Sequence, residues 1–167
     1  MKLTSTLLLT PFLASALSLY SPSSSGVTTQ NDAFPVPGSQ PLTYCNDPKD
    51  YILEVHNVDL IPNPPVPGEK LTIKANGTFH EQIEEGATVF LQVRYGLITL
   101  IKQEADMCEQ LPKIDIECPI NEGYMEIMKE VNIPRQVPPG KYTVLADVKT
   151  KDKRAITCME AAIVFPR

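Results

Sequence analysis

The chain has 167 residues, 16 prolines, four cysteines, no tryptophan and a formal net charge of −5. The length suits one domain, and the acidic balance excludes the basic field of a nucleic-acid binder. The prolines exclude a long helical bundle, because an interior proline costs a helix about 3 kcal/mol.

Residues 1–16 read as a secretory signal peptide. Lys2 gives the positive start, residues 3–13 are largely apolar, and Ala14-Ser15-Ala16 is a small-x-small cleavage site. The apolar stretch is shorter than the roughly 20 residues of a membrane span, and Pro11 interrupts it. The chain is therefore expected in the secretory pathway, secreted or in a vacuolar lumen. Residues 17–40 form a Ser/Pro-rich run that includes Ser23, Ser24, Ser25, Pro35 and Pro37. Such a composition buries too little apolar surface to offset chain entropy. It is expected to be a flexible segment or a propeptide, which leaves residues 41–167 as the folded domain.

Strand-like runs then alternate with turn signals. Residues 51–60 form a first strand, and the proline-rich stretch 61–68 is a rigid connector that fits neither helix nor central sheet. Residues 70–80 place Leu71, Ile73, Ala75, Gly77 and Phe79 on one face. Residues 88–95 do the same with Val89, Leu91, Val93 and Tyr95. Residues 97–102 are almost wholly apolar. Residues 124–133 put Met125, Ile127, Val131 and Ile133 in phase, with Lys129 out of character among them. After the turn at Pro138-Pro139-Gly140, residues 141–149 align Tyr142, Val144, Ala146 and Val148. Residues 156–165 align Met159, Ala161, Ile163 and Phe165. Period-two runs of this kind hide one face each by packing sheet on sheet. The fold class is all-β, an immunoglobulin-like β-sandwich of about seven strands in two sheets.

In an oxidising route the four cysteines are expected as disulfides. Three pairings are open. The favoured one joins Cys108 to Cys118, bracketing a short polar excursion, and Cys45 to Cys158, joining the two ends of the domain. A four-thiolate zinc site lacks its close C-x-x-C pairs, so no metal or other cofactor is expected. Asn76-Gly77-Thr78 is an N-glycosylation acceptor on the outward phase of its strand.

Catalytic machinery is hard to find. His56 and His80 belong to no recognisable triad or metal motif, and Glu84 with Glu85 reads as a solvated turn beside Gly86. No enzyme activity is expected. The run from Lys149 to Arg154 is a charged hairpin tip, or a basic contact for an anionic membrane.

Several short segments together carry a family resemblance. They are Pro41-Leu42-Thr43-Tyr44-Cys45, Asn63-Pro64-Pro65-Val66-Pro67-Gly68, Gly96-Leu97-Ile98-Thr99-Leu100-Ile101, Asp106-Met107-Cys108, Cys118-Pro119-Ile120 and Val137-Pro138-Pro139-Gly140-Lys141-Tyr142-Thr143. In this order they resemble the ML lipid-recognition domain family, and within it the fungal phosphatidylglycerol/phosphatidylinositol transfer proteins. The resemblance implies splayed sheets with an apolar cavity for a lipid, and the pairings Cys45–Cys158 and Cys108–Cys118. It places Asn76 where animal members carry a glycosylated asparagine. Animal members have a further small cystine loop where Pro62, Pro64, Pro65 and Pro67 stand here. The tryptophans of their sterol pocket fall near Ala146 and Met159, which favours flexible acyl chains.

The resemblance implies a monomer that binds a phospholipid, makes transient contact with membrane surfaces and moves the lipid between them. The alternatives are sterol transport, and a secreted protein- or glycan-binding sandwich without a cavity. The in-phase sets supply the candidate lipid contacts. They are Ile73, Ala75, Val89, Leu91 and Val93, with Leu100 and Ile101 near the tip. Ile133 and Val137 are expected at the mouth, and Tyr142, Val144, Ala146, Val148, Met159, Ile163 and Phe165 deeper. Lys102, Lys129, Lys141, Lys151, Lys153 and Arg154 are candidates for docking.

Overall fold

Strands that alternate with period two need a second sheet to cover their apolar face. The computed structural model, which describes residues 34–166, supplies two. Residues 1–16, expected as a signal peptide, and residues 17–33 lie outside the described residues.

The strands in chain order are β1 (Phe34–Pro35), β2 (Leu42–Tyr44), β3 (Leu53–Ile61), β4 (Lys70–Phe79) and β5 (Thr88–Tyr95). They continue as β6 (Ile98–Asp106), β7 (Gly123–Asn132), β8 (Gly140–Lys149) and β9 (Ala155–Phe165). One sheet has six strands in the order β1-β2-β9-β8-β5-β6, and the other has three in the order β3-β4-β7. Every pairing is antiparallel. The seven long strands match the expected runs. β1 and β2 are additions, because two and three residues are too few to show a period.

Residues 34–40, expected within the flexible segment, pack as part of the fold. Val36 is buried at 3% exposure. The segment bonds to the other sheet, with Val58 N donating to Pro37 O at 2.8 Å and Leu60 N to Ser39 O at 3.1 Å. Gly38 makes this approach possible. Its φ is +117°, and a Cβ there would sit 2.0 Å from the Val58 carbonyl oxygen.

Two apolar clusters hold the layers together. One joins Phe79, Ile83, Ala87, Met107, Leu111, Ile120 and Ile156. A two-way backbone bridge between Ile83 and Ile120, at 2.8 and 3.0 Å, ties it to the segment after Cys118. The other joins Val36, Tyr44, Tyr51, Val55, Val58 and Cys158. Each fully buried aliphatic side chain contributes about 1.5–3 kcal/mol. Both disulfides are formed: Cys45–Cys158 with Cα atoms 5.4 Å apart, and Cys108–Cys118 at 5.6 Å.

Candidate functional site

Between the sheets lies an apolar cavity of about 190 Å³. β3 contributes Leu53, Val55 and Val58 to its wall, and β4 contributes Ala75, Asn76, Gly77 and Phe79. β7 adds Met125 and Ile127, and β9 adds Met159. The wall is completed by Met107, Leu111, Ile114, Ile116 and Ile120 from the segment that links β6 to β7.

Local chemistry explains this arrangement. A bulge in β3 between Val55 and Asn57 turns His56 out of register, so Val55 and Val58 point the same way although three residues apart. The β6–β7 segment begins with a capped turn. Asp106 Oδ1 accepts from Cys108 N at 2.8 Å and from Glu109 N at 3.3 Å, which starts the short helix α1 (Met107–Gln110). A 3-10 turn at Leu111–Ile114 follows. Its three-residue repeat puts Leu111 and Ile114 on one side, and the Cys108–Cys118 bridge holds the segment over the cavity.

This corrects one expectation. The stretch between Cys108 and Cys118 reads as a polar excursion, yet it supplies Leu111, Ile114 and Ile116 to the wall. Its apolar residues follow a helical repeat, which a search for period two misses. Leu53, Val55 and Val58 were missed because the bulge breaks their alternation. Met125 and Ile127 were already in phase by sequence.

Of the expected lipid contacts, Ala75 and Met159 border the cavity. Register places Leu91, Ala146 and Met159 in one row of the six-stranded sheet, so Val89, Val93, Tyr142, Val144, Val148, Ile163 and Phe165 share that inward face by alternation. None of these seven, nor Leu91 or Ala146, borders the cavity. Val148 packs against the cluster around Phe79. Tyr142 and Phe165 are buried and meet edge-on at 5.4 Å, with the Tyr95 ring 5.0 Å from Tyr142, closing the far end of the face as an aromatic plug. Ile73 pairs with Lys129, next to the cavity row. Ile133 and Val137 are half-buried in the β7–β8 connector, outside the wall. Leu100 and Ile101 are 53% and 43% exposed at the β5–β6 tip, beside Leu97 at 92% and Ile98 at 63%.

Asn76 pairs with Asn57 and Glu126 on the outer phase of its sheet, so alternation turns its side chain away from the cavity it borders. Among the described residues, no group of three His, Cys, Asp or Glu side chains is placed to hold a metal. His80 Nε2 lies 3.1 Å from a Glu54 carboxylate oxygen, and His56 Nε2 lies 4.0 Å from the other, all on the exposed surface. Burial pushes the Tyr44 phenol up, although its bond to the Val55 carbonyl opposes this. The Asp59 carboxyl is held below its ordinary range by hydrogen bonds from Ser39 N and Asn57 Nδ2, each at 2.8 Å.

The basic candidates other than Lys129, which lies within β7, divide into two places. Lys149 pairs with Asp147 at 2.6 Å, Lys153 with Glu104 at 3.6 Å, and Arg154 with Glu81. Lys151 borders a shallow groove with Glu84 and Glu85. At the opposite end of β8, Gly96 N bonds to Lys141 O at 3.0 Å and Tyr95 Oη to Pro139 O at 2.9 Å, which brings the β5–β6 tip beside the β7–β8 connector. Residues 94–102 and 131–141 carry Arg94, Lys102, Arg135 and Lys141 and no acidic residue. Among the described residues, none of these four takes part in an ion pair.

Comparison with known proteins gives a consistent result. The family model described as the ML domain matches residues 39–165. The phosphatidylglycerol/phosphatidylinositol transfer protein of Aspergillus fumigatus is 52% identical over 153 residues, covering 92% of this chain and 87% of that protein. Among solved structures, a Niemann-Pick type C2 protein from Japanese carpenter ant matches with a TM-score of 0.55 at 8% identity, over 73% of this chain and 96% of that one. Chicken MD-1 complexed with lipid IVa matches with a TM-score of 0.54 at 16% identity, over 80% and 97% of the two chains. At such identities the structural likeness speaks for the fold.

Proposed function

The chain belongs to the ML domain family, and from that membership we propose that it transfers phospholipid, phosphatidylglycerol and phosphatidylinositol among them, between membranes. The observation that carries the reading is the apolar cavity between the sheets, joined to the transfer proteins' high identity along nearly the whole chain.

The physical problem is desolvation. Each methylene exposed to water costs about 0.8 kcal/mol, so two long acyl chains approach roughly 20 kcal/mol. A protein that receives the chains on an apolar wall lowers this barrier with no covalent step. The cavity of about 190 Å³ is smaller than the roughly 300–1,000 Å³ of ordinary ligand pockets. Loading therefore requires the sheets to part. The edge that can part lies between β6 and β7, which share no backbone hydrogen bond among the described residues. The half-buried inward face of Val89, Leu91 and Val93 is the surface onto which the chains then extend.

Docking falls to the β5–β6 tip. Leu97, Ile98 and Leu100 enter the apolar layer, while Arg94, Lys102, Arg135 and Lys141 meet anionic headgroups. The two disulfides fit the oxidising secretory route. The protein acts as a monomer, outside the cell or in a vacuolar lumen, with residues 1–16 removed and Asn76 open to glycosylation.

The test is exchange of fluorescent phosphatidylglycerol between vesicles, with mass spectrometry of lipid extracted from the purified protein. Accelerated exchange and a co-purifying phospholipid are expected. An unchanged spontaneous rate together with no extractable lipid would overturn the reading. An extracted sterol would redirect it to sterol transport.

A further inference from the structure

The inward rows of both sheets are neutral with one exception. On the three-stranded sheet, register sets Val55 beside Gly77 and Met125, then Val58 beside Ala75 and Ile127, then Leu60 beside Ile73 and Lys129. The corresponding rows of the six-stranded sheet hold apolar residues with Gln103 and Thr157. Lys129 is thus the one charged side chain that alternation turns inward in either sheet among the described residues.

Its surroundings are unusual for a lysine. It is half-buried and follows the cavity-lining Ile127 by one step of phase. Its Nζ donates to the carbonyl of Lys113, the residue before the cavity-lining Ile114. No carboxylate lies within ion-pair distance among the described residues; the adjacent Glu130 points outward and pairs with Lys70 at 2.8 Å. An ammonium has three donors, and one neutral carbonyl leaves most of that capacity unused. The stem is half-buried while the contact of its Nζ with Lys113 is exposed, so the unused donors are open to an anion arriving at the edge.

We infer that Lys129 receives the phosphate diester of the lipid whose chains occupy the cavity. This deepens the transfer reading and rests on it. The position fixes the ligand's direction. The phosphate sits at the Lys129–Lys113 rim, and the chains run inward past Ile127 and Met125 toward Phe79. It predicts a preference for lipids that carry a phosphate over neutral diglycerides.

The experiment uses the full chain with Lys129→Met, which keeps the apolar stem, and Lys129→Arg, which keeps the charge. Equilibrium binding of fluorescent phosphatidylglycerol and of fluorescent diacylglycerol is measured for each, with thermal melting as a check on folding. Lys129→Met is expected to bind phosphatidylglycerol about tenfold or more weakly, with diacylglycerol binding kept, and Lys129→Arg to restore phosphatidylglycerol binding. Equal phosphatidylglycerol binding by wild type and Lys129→Met would overturn the assignment. So would parallel loss of both lipids, which marks a damaged cavity. Added inorganic phosphate is expected to leave binding unchanged; displacement of phosphatidylglycerol by it would assign Lys129 to free anions instead. A wild type that carries neither lipid would overturn the transfer reading itself, and this inference with it.

Discussion

The two long edges of the sandwich are built in opposite ways. On one, the segment around Pro37 and Ser39 bonds directly to β3, Tyr44 and Tyr51 pack with Val55 and Val58, and Cys45–Cys158 fastens β2 to β9. On the other, β6 and β7 share no backbone hydrogen bond among the described residues, and the tip beyond β5 exposes Leu97, Ile98 and Leu100. The sealed edge spends its apolar residues on stability. The open edge leaves them unburied, which suits the parting of the sheets that the proposed transfer requires. Mutations should therefore separate stability from transfer according to the edge they touch.

The largest effect is expected at the sealed edge. Cys45 and Cys158 are 113 residues apart, and closing a loop of that length is worth about 4–5 kcal/mol in the chain-entropy model. The double change Cys45→Ala with Cys158→Ala should lower unfolding free energy by about that amount in urea titrations. Transfer per folded molecule should stay near wild type. The bridge over the cavity spans 10 residues, and its loss should cost about 3 kcal/mol by the same model. If the two removals proved equally costly, or if the first abolished transfer by the folded fraction, the contrast between edges would fail.

Next comes the open edge. Ile98 and Leu100 are more than half exposed, so charging them removes little packing from the folded protein. The pair Ile98→Glu with Leu100→Glu should leave the melting temperature within about 2 °C, since surface changes are usually worth under about 0.5 kcal/mol. Binding to phosphatidylglycerol vesicles should fall at least about tenfold, as two side chains lose a transfer gain of about 1.5–3 kcal/mol each. A flotation or sedimentation assay reads this directly. Undiminished binding would show that the tip is not the docking surface.

The sequence made one edge more legible than the other. Strands β4, β5, β7, β8 and β9 followed from alternation in runs such as Leu71 to Phe79 and Tyr142 to Val148, because period two persists over seven or more residues there, while β3 and β6 were read from apolar content between turn signals. The cysteine pairs followed from spacing and redox context. β1 and β2 did not, since Val36 and Tyr44 are buried, and Phe34 half-buried against them, by contacts with a sheet far along the chain. The cavity itself was half visible. Ala75 and Met159 lay in phase, but Val58 depends on a bulge and Leu111 on a 3-10 turn. The remaining in-phase residues form the inward face correctly, yet which stretch of that face meets a void is decided by the loop folded over it. Lys129 stood out in the sequence as a break in an apolar pattern, and register places it one step of phase beyond the cavity-lining Ile127.

A smaller effect tests how the sealed edge is latched. The Asp59 carboxylate holds Ser39 N and Asn57 Nδ2, which keeps its pKa below the ordinary value near 3.8. A depressed carboxyl stabilises the fold above its unfolded pKa, and that contribution disappears as pH falls through the folded value. Asp59→Ala should therefore melt below wild type at neutral pH, and the gap should narrow below about pH 4. A gap that stayed constant down to pH 2 would assign the effect to packing instead.

The smallest effect is expected at the charged turn, some 30 Å from the tip by the length of β8 at about 3.3 Å per residue. By composition, Lys149 to Arg154 is the most basic stretch of the chain, and a charge count alone would make it the membrane contact. In the fold three of the four cations have a local partner: Asp147, Glu104 and Glu81 pair with Lys149, Lys153 and Arg154, while Lys151 shares a groove with Glu84 and Glu85 without forming an ion pair. Such exposed pairs add little stability, about 0–1 kcal/mol each, but they cancel the field a membrane would feel. The tip differs in its partners rather than in its number of cations: Arg94, Lys102, Arg135 and Lys141 have no acid between them. Lys151→Ala with Lys153→Ala should therefore leave vesicle binding and its salt dependence unchanged, while Lys102→Ala with Lys141→Ala should weaken both. Each lysine near an anionic surface is worth about 1 kcal/mol, so the second pair should cost roughly tenfold or more. Equal losses from the two pairs would mean that net charge, rather than its pairing within the fold, governs docking.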